Sequence, residues 1–506
     1  MPPRTPLPRI CVALGFDSPE KLLEHARREI QEGETFLEMR LDYLPDPQRG
    51  LQVMSRVVSE HPDVKVLATC RRNTNHGSFH GSVDEQVRIL EAAVAHGAAA
   101  VDLEIESAEV LDSPALQSLN HGTGLVVSYH NFESTPAMDA VVRRMHRVEA
   151  WAYKIVTTAR KPSDVLRLLA CGKTTAGSRL ILMAMGEIGF PTRVISPAFG
   201  SMYTYASPNG AEGTAPGQIC ARQLRNLDRI EKLGKSPRIF GVIADPVRHS
   251  LSPVIHNRAL QSKRLEGVYL PFLVPALQLR DFMTVAAKLP LAGFSVTIPH
   301  KQKISRYLDI VDPLSRRIGA VNTVWRKAGK WRGTNTDVAG VVVPLKKRMR
   351  LAHASVLIAG NGGAARGAAF ALADAGAKVT LVGRNAERVR SLARVTGAEA
   401  ASMENLNGRQ FDVFIHATPL GMYPNTSDAF FPDRIPASLI FDMVYNPLET
   451  ALLRNAKQQG LEVVPGIEMF VEQAAHQFET WTGESAPRSV MEKAVFEALG
   501  ASSAVQ

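Results

Sequence analysis

The 506-residue chain is 45% hydrophobic and 21% charged, which gives it enough apolar side chains for two to four separate cores and excludes disordered and collagen-like classes. Lys and Arg number 59 against 49 Asp and Glu, with aromatics at only 6%. The basic residues are dispersed with no stacking platform between them, so the positive charge suits small anionic substrates and no nucleic acid is expected as a partner.

The first 230 or so residues repeat a short β-rich apolar run, a turn and an amphipathic helical stretch. The runs are 10–15, 36–42, 65–71, 100–106, 124–130, 152–158, 179–185 and 201–206, with helical patterns such as 19–32 and 83–96 between them. Eight β/α units in that length predict an α/β fold of the TIM (β/α)8 barrel type. A doubly wound sheet is the alternative, but no Gly-rich phosphate loop follows any of these strands.

In such a barrel the chemistry sits at the C-terminal ends of the strands. Strand two ends in Glu38-Met39-Arg40-Leu41-Asp42, whose charges alternate with apolar residues and so share one face. Strand three ends in Arg71, strand four carries Asp102, Glu104 and Glu106, and strand five ends in His130. Strand six holds Lys154 inside an apolar run, where a desolvated ammonium tends to lose its proton and become a nucleophile toward a carbonyl. A Lys and a His on neighbouring strands, with converging Arg, describe imine chemistry on an anionic ketone. Together Glu38 to Asp42, Ser128-Tyr129-His130-Asn131-Phe132, Tyr153-Lys154-Ile155 and Thr214-Ala215-Pro216-Gly217-Gln218 resemble type I 3-dehydroquinate dehydratase. The resemblance implies that Lys154 forms a Schiff base with the substrate ketone and that His130 is the general acid/base. It implies that Glu38, Arg40, Arg71, Arg193, Thr214 and Gln218 hold the carboxylate and hydroxyls of 3-dehydroquinate. Thr214 stands where many members have Ser, and residues 73–76 lack the acidic residue with which many bacterial members assist the histidine.

A Gly/Ser/Pro stretch at 234–237 marks a boundary, and strands at 238–243, 267–272 and 293–298 follow. A clearer unit comes next: strand 354–359, Gly360-Asn361-Gly362-Gly363-Ala364-Ala365, a helix through Ala375 and strand 378–382. This is the order that dinucleotide binding requires, with a pyrophosphate at the helix N-terminus. Arg384 stands where an acidic residue would grip the ribose of NAD, and with Arg388 it suits the 2′-phosphate of NADP. Polar clusters lie at Ser250 to Pro253, Ser295 to Lys301, Gly319 to Thr323 and Thr334 to Asp337; singly, Ser252-Pro253 and Asn335 also read as cap or turn residues. With His416 to Met422, Asp442 to Tyr445 and Gln473, these motifs resemble shikimate dehydrogenase over about residues 238–500. The likeness implies Lys301 and Asp337 as the catalytic pair, and Ser250, Ser252, Thr297, Asn322, Tyr445 and Gln473 as substrate ligands. NADP would be held by Gly360, Asn361, Gly362, Gly363, Ala364, Arg384, Asn385, Arg388, Met443 and Gly466.

The two resemblances reinforce each other, because the product of the first reaction, 3-dehydroshikimate, is the substrate of the second. The expected organisation is a barrel at 1–235, a substrate-binding domain at 237–340, a Rossmann-type NADP domain at 341–465 and C-terminal helices at 466–506 returning to the substrate domain. Quinate or shikimate catabolism is a rival, as is a non-catalytic regulator, though such a protein should have lost Lys154, Lys301 or Asp337. No run of about eighteen apolar residues is present and residues 1–9 lack a signal-peptide core, so neither a membrane nor secretion is expected, and a cytoplasmic enzyme is. Cys11, Cys70, Cys171 and Cys220 form no CxxC pair and suggest reduced thiols and no metal site.

Overall fold

The computed structural model describes residues 7–120, 123–174, 177–215 and 217–503. By backbone contacts the chain divides into two compact units, residues 1–238 with 266–290, and residues 239–265 with 291–506.

The first unit carries parallel strands β1 (Ile10–Leu14), β2 (Phe36–Arg40), β3 (Lys65–Thr69), β4 (Ala100–Glu104), β5 (Gly124–His130), β6 (Ala152–Thr158), β7 (Leu180–Met185) and β8 (Thr204–Ala206). They pair in chain order, β8 pairs back onto β1, and a bridge from Leu180 to Ser201 closes the ring. Each strand falls within its expected run. The helices between them start where the sequence supplies caps: Ser18 accepts from Lys21 N at the start of Pro19–Gln31, and Ser82 with Glu85 forms a reciprocal capping box ahead of Val83–Ala95.

Side chains alternate along a strand, so one row per strand faces the barrel interior. Cys11, Phe36, Leu67, Ala100, Val126, Ala152, Ile181 and Tyr203 form an apolar layer there. Two residues on along β2 to β6, the same rows become Glu38, Thr69, Asp102, Ser128 and Lys154, all buried. This change from apolar to polar at a fixed height makes the C-terminal mouth chemically different from the packed interior below it.

After β9 (Arg238–Ala244) and β10 (Gly267–Leu273), the second unit contains β11 (Leu291–Val296), β12 (Ile310–Val311), β13 (Thr323–Lys327) and β14 (Lys330–Thr334). Here β9 and β11 are parallel, and β13 and β14 form an antiparallel hairpin. A third sheet is wholly parallel, in the order β17-β16-β15-β18-β19-β20, from β15 (Ser355–Ala359), β16 (Lys378–Val382), β17 (Glu399–Ala400), β18 (Phe411–His416), β19 (Ala437–Asp442) and β20 (Glu462–Val464). Its strand order reverses between β15 and β18, the switch point at which doubly wound sheets bind nucleotides. Helices Gly466–Thr482 and Arg488–Ser503 follow. Trp481 Nε1 donates to Val324 O at 3.0 Å, which ties the first of these helices to β13. Among the described residues no helix is long and apolar enough to cross a membrane, and no cluster of side chains has the makings of a metal site.

Candidate active sites

Lys154 rises from the middle of β6 and is 4% exposed. Its Nζ donates to Asp102 Oδ2 at 3.0 Å and to the Tyr205 hydroxyl at 3.0 Å, with Glu38 Oε1 at 3.7 Å. Asp102 accepts from Ser128 Oγ at 2.7 Å and faces Arg71 Nη2 at 3.4 Å. Burial alone would push this carboxyl up, but Lys154, Arg71 and Ser128 outweigh it and hold Asp102 below its ordinary range. Glu104 lies beyond, bound by Gln86 and by the backbone N–H of Arg72 at 3.0 Å, and its carboxyl is pushed up by burial.

His130 is half-buried at the end of β5, with Phe132 stacked at 6.0 Å and His76 packed against Phe132 at 4.0 Å. Desolvation first, then the charges of Arg71, Lys154 and Arg40, push its imidazole well below its usual range. These surroundings favour the neutral imidazole. Arg40 gives Nε and Nη2 to Asp42 at 2.9 and 2.7 Å. Arg193 does not lie in an open loop; it belongs to helix Phe190–Ile195, is 1% exposed, and lies against Met183 of β7, with its guanidinium brought down to about 10 by burial. Thr214 packs against Gly15, just past β1, and Gln218 Nε2 reaches Thr214 Oγ1 at 3.4 Å. Pro216 of that motif lies outside the described residues. The structure thus brings Glu38, Arg71 and Lys154 into one hydrogen-bonded group, with His130 among their charges.

In the second unit, Val296 N donates to Asn322 O at 2.7 Å and Val321 N to Lys301 O at 2.8 Å. These bonds lay the segment after β11 beside the one before β13. Lys301 Nζ meets Asp337 Oδ2 at 2.7 Å, while Asn322 Nδ2 donates to Asp337 Oδ1 at 2.7 Å and Asn335 Oδ1 accepts from Asp337 N at 3.1 Å. Ser252 N donates to Ser250 Oγ at 3.3 Å, so these two seryl groups are adjacent. Thr297 is half-buried just past β11. Tyr445 stacks on the Phe470 ring at 4.8 Å, and Gln473 Nε2 donates to the Phe470 backbone O at 3.0 Å, so both contact residue 470. Asn335 takes the turn role expected of it singly: its Oδ1 receives Asp337 N, which fixes the start of the segment bearing Asp337.

At the switch point Gly360 has φ +125°, and a Cβ there would lie 2.7 Å from Ala417 O, so only glycine fits between β15 and β18. Gly362 and Gly363 face open space at the N-terminus of helix Gly363–Asp374, whose first turn also carries Ala364; the helix has no side-chain cap. Its free backbone N–H groups suit a pyrophosphate. Asn361 lies beside Gly383, and Arg384 and Arg388 are exposed past β16. Asn385 caps helix Ala386–Thr396, accepting from Arg388 N at 3.0 Å, and Gly466 permits the close approach of its helix to Met443 and Val444. For these two, packing and capping roles are visible beside the expected cofactor contact. The donor set fits NADP: open amides for phosphates and two exposed guanidinium groups for a further one.

Sequence reasoning did not single out Tyr205, Thr69 or the chain formed by His416, which bonds Asp442 through Nδ1 at 2.9 Å and Thr418 through Nε2. The signal for Tyr205 was its spacing of two from Tyr203, which puts it on the inward row.

Family models match four stretches of the chain: type I 3-dehydroquinase over 10–234, the shikimate dehydrogenase substrate binding domain over 242–324, shikimate / quinate 5-dehydrogenase over 344–423 and the shikimate 5′-dehydrogenase C-terminal domain over 466–496. The chain is 33% identical over 505 residues to a bifunctional 3-dehydroquinate dehydratase/shikimate dehydrogenase, chloroplastic, of Arabidopsis thaliana, covering 95% of this chain and 83% of that protein. It is 41% identical over 280 residues to a shikimate dehydrogenase (NADP(+)) of Methanosarcina acetivorans, covering 52% of this chain and 99% of the other. A crystal structure of a shikimate dehydrogenase in complex with NADP+ matches with 35% identity and a TM-score of 0.50, over 53% of this chain and 97% of that one.

Proposed function

We infer, for a chain that belongs to the family of bifunctional 3-dehydroquinate dehydratase/shikimate dehydrogenases, which residues carry each of its two reactions. The protein is a lyase and an NADP-linked oxidoreductase of the shikimate pathway: it dehydrates 3-dehydroquinate to 3-dehydroshikimate and reduces that product to shikimate.

In the barrel, Lys154 is the nucleophile that forms the imine with the ketone. A neutral His130 takes the proton from the carbon beside it and returns one to the departing hydroxyl, so that water leaves. Arg193 supplies a buried positive charge for the substrate carboxylate, with Arg71, Arg40, Glu38, Thr214 and Gln218 binding carboxylate and hydroxyl oxygens around it. The observation that carries this reading is the Lys154 amine, buried in the polar layer with two carboxylates on it and a neutral imidazole above the same mouth.

In the second unit, Lys301 gives its proton to the substrate's carbonyl oxygen as that oxygen becomes a hydroxyl. Asp337 fixes the ammonium, and Asn322 fixes Asp337. Ser250, Ser252, Thr297, Tyr445 and Gln473 orient the ring. Bound NADPH supplies the hydride; Gly360 to Ala364 hold its phosphates, with Asn385, Met443 and Gly466 lining the site, while Arg384 and Arg388 hold the 2′-phosphate. The basic Arg384 favours this reading over an NAD-linked catabolic one. We place the domain boundaries at 1–235, 237–340, 341–465 and 466–506, and the enzyme in the cytoplasm, where four free cysteines, three of them buried, are at home.

The test is a one-pot assay with purified protein, 3-dehydroquinate and NADPH. Shikimate should accumulate with NADPH consumption. Oxidation of NADPH with 3-dehydroshikimate but not with 3-dehydroquinate would sink the assignment of the barrel site.

A further inference from the structure

Imine formation at Lys154 poses a proton problem that the residues assigned so far do not solve. The Lys154 ammonium sits against two carboxylates, Asp102 at 3.0 Å and Glu38 at 3.7 Å. It must lose protons before its nitrogen can attack. Asp102 is a poor acceptor, because Arg71, Ser128 and Lys154 already hold it in the ionised state. Tyr205 is differently placed. Its hydroxyl accepts from Lys154 Nζ at 3.0 Å and donates onward to Glu38 Oε1 at 3.5 Å; Thr69 Oγ1 donates to the same Glu38 oxygen at 2.7 Å. The bonds run in one direction, from nitrogen to phenol to carboxylate. The ring also lies under the ammonium, with Nζ 4.3 Å from its centroid, which fixes the hydroxyl relative to the nitrogen.

We propose that Tyr205 is a catalytic residue of the dehydratase, whose hydroxyl carries protons between Lys154 and the substrate oxygen as the imine forms and is hydrolysed. The proposal rests on Lys154 being the Schiff-base residue. The balance is simple. The ammonium and the ketone give an iminium and one water, so both protons of that water come from Lys154. In the first half, the nitrogen passes a proton through Tyr205 to Glu38, then attacks the carbonyl carbon; the C–N bond forms, the π pair moves to oxygen, which takes a proton from the phenol, and the nitrogen, still carrying two protons, gives one back to the phenolate and so regains its lone pair. In the second half, the nitrogen lone pair forms C=N, the C–O bond breaks, and the leaving hydroxyl takes the second proton over the same hydroxyl, with Glu38 returning to its starting state. The carbinolamine oxygen is two bonds from Nζ, so a group touching Nζ can reach both atoms. Burial and the charge of Glu38 keep the Tyr205 phenol well above its ordinary range. It therefore rests protonated, as a carrier must.

Tyr205→Phe keeps the ring and removes only the hydroxyl. The product ketone, 3-dehydroshikimate, isolates the step, since it forms an imine at Lys154 without any dehydration. Protein is mixed with 3-dehydroshikimate, quenched with borohydride at increasing times, and the reduced adduct is counted by intact mass. A carrier changes the rate of approach and not the equilibrium, so Tyr205→Phe should slow adduct formation about a hundredfold, the low end for lost acid/base help, and reach the wild-type plateau. Wild-type speed in the variant would overturn the proposal, and so would a lowered plateau, which marks a binding or packing role. Absence of an adduct in the wild type would instead remove the Schiff-base reading itself.

Discussion

Substitution of Asp337 by Asn tests the dehydrogenase pair most directly. Asp337 presents Oδ2 to Lys301 at 2.7 Å and Oδ1 to Asn322 at 2.7 Å, so the amide keeps the shape and removes the charge. At an effective dielectric of about 20, the lost attraction at that distance is about 6 kcal/mol. Lys301's side chain is 28% exposed, and halving for solvent screening leaves about 3 kcal/mol. If that attraction is what holds the ammonium at the reacting oxygen, kcat for 3-dehydroshikimate reduction should fall about a hundredfold. The assay is NADPH oxidation at saturating substrate, with dehydration of 3-dehydroquinate as an internal control on the same sample. Retained reduction would refute the pairing. Equal loss of both activities would mean that the substitution acts through folding.

Lys154→Ala should abolish dehydration and borohydride trapping while leaving reduction of 3-dehydroshikimate nearly unchanged; appreciable dehydration by this variant would exclude the imine route. Arg384→Ala should raise the KM for NADPH about tenfold, the scale of one partly screened charge-assisted hydrogen bond, and leave that for NADH alone, whereas parallel changes would assign Arg384 to the fold. The third concerns stability: burial raises the carboxyls of Asp228 and Glu34 to about 7, so the folded state binds protons that the unfolded chain releases above about pH 4. The stability this confers is complete below that pH and is lost as pH rises through about 7. Thermal unfolding of the first unit should therefore shift to higher temperature from pH 8 to pH 6, and Asp228→Asn should flatten that slope; an unchanged slope in the variant would remove Asp228 from the account.

The barrel was legible because its strands are buried on both faces. Such strands read as continuous apolar runs, and a polar residue inside one, as with Lys154 in β6 or Asp102 in β4, stands out. The β13–β14 hairpin was not legible in the same way. Its turn, with Ala328 at φ +51° and Gly329 at φ +75°, is a hairpin signal, but the flanking strands Thr323–Lys327 and Lys330–Thr334 are five residues each and carry basic residues on both sides of the turn, and their ends coincide with motifs that were read for chemistry. Tyr205 escaped for a different reason. A tyrosine in a strand is an ordinary β-former, and only the closure of β8 onto β1 brings its hydroxyl to Lys154. The burial of Arg193 likewise depends on a helix packing onto β7, which residues 190–195 alone do not announce.

On the proposed assignments the two sites use the same side-chain pair, a lysine with an aspartate, for opposite ends, and their surroundings differ accordingly. Lys301 has one carboxylate, Asp337, in direct contact, and a quarter of its side chain is open to solvent. A lysine so placed, held by one carboxylate and open to the site, is positioned as a donor to an oxygen that develops negative charge. Lys154 is almost wholly enclosed, and besides Asp102 it touches a phenol that leads to a second carboxylate. On the proposed reading the phenol offers the departing proton a path to Glu38. An aspartate beside a lysine therefore does not by itself distinguish nucleophile from acid. On the proposed assignments the distinction rests on where the proton goes: at Lys301 to the substrate oxygen, and at Lys154 to the protein.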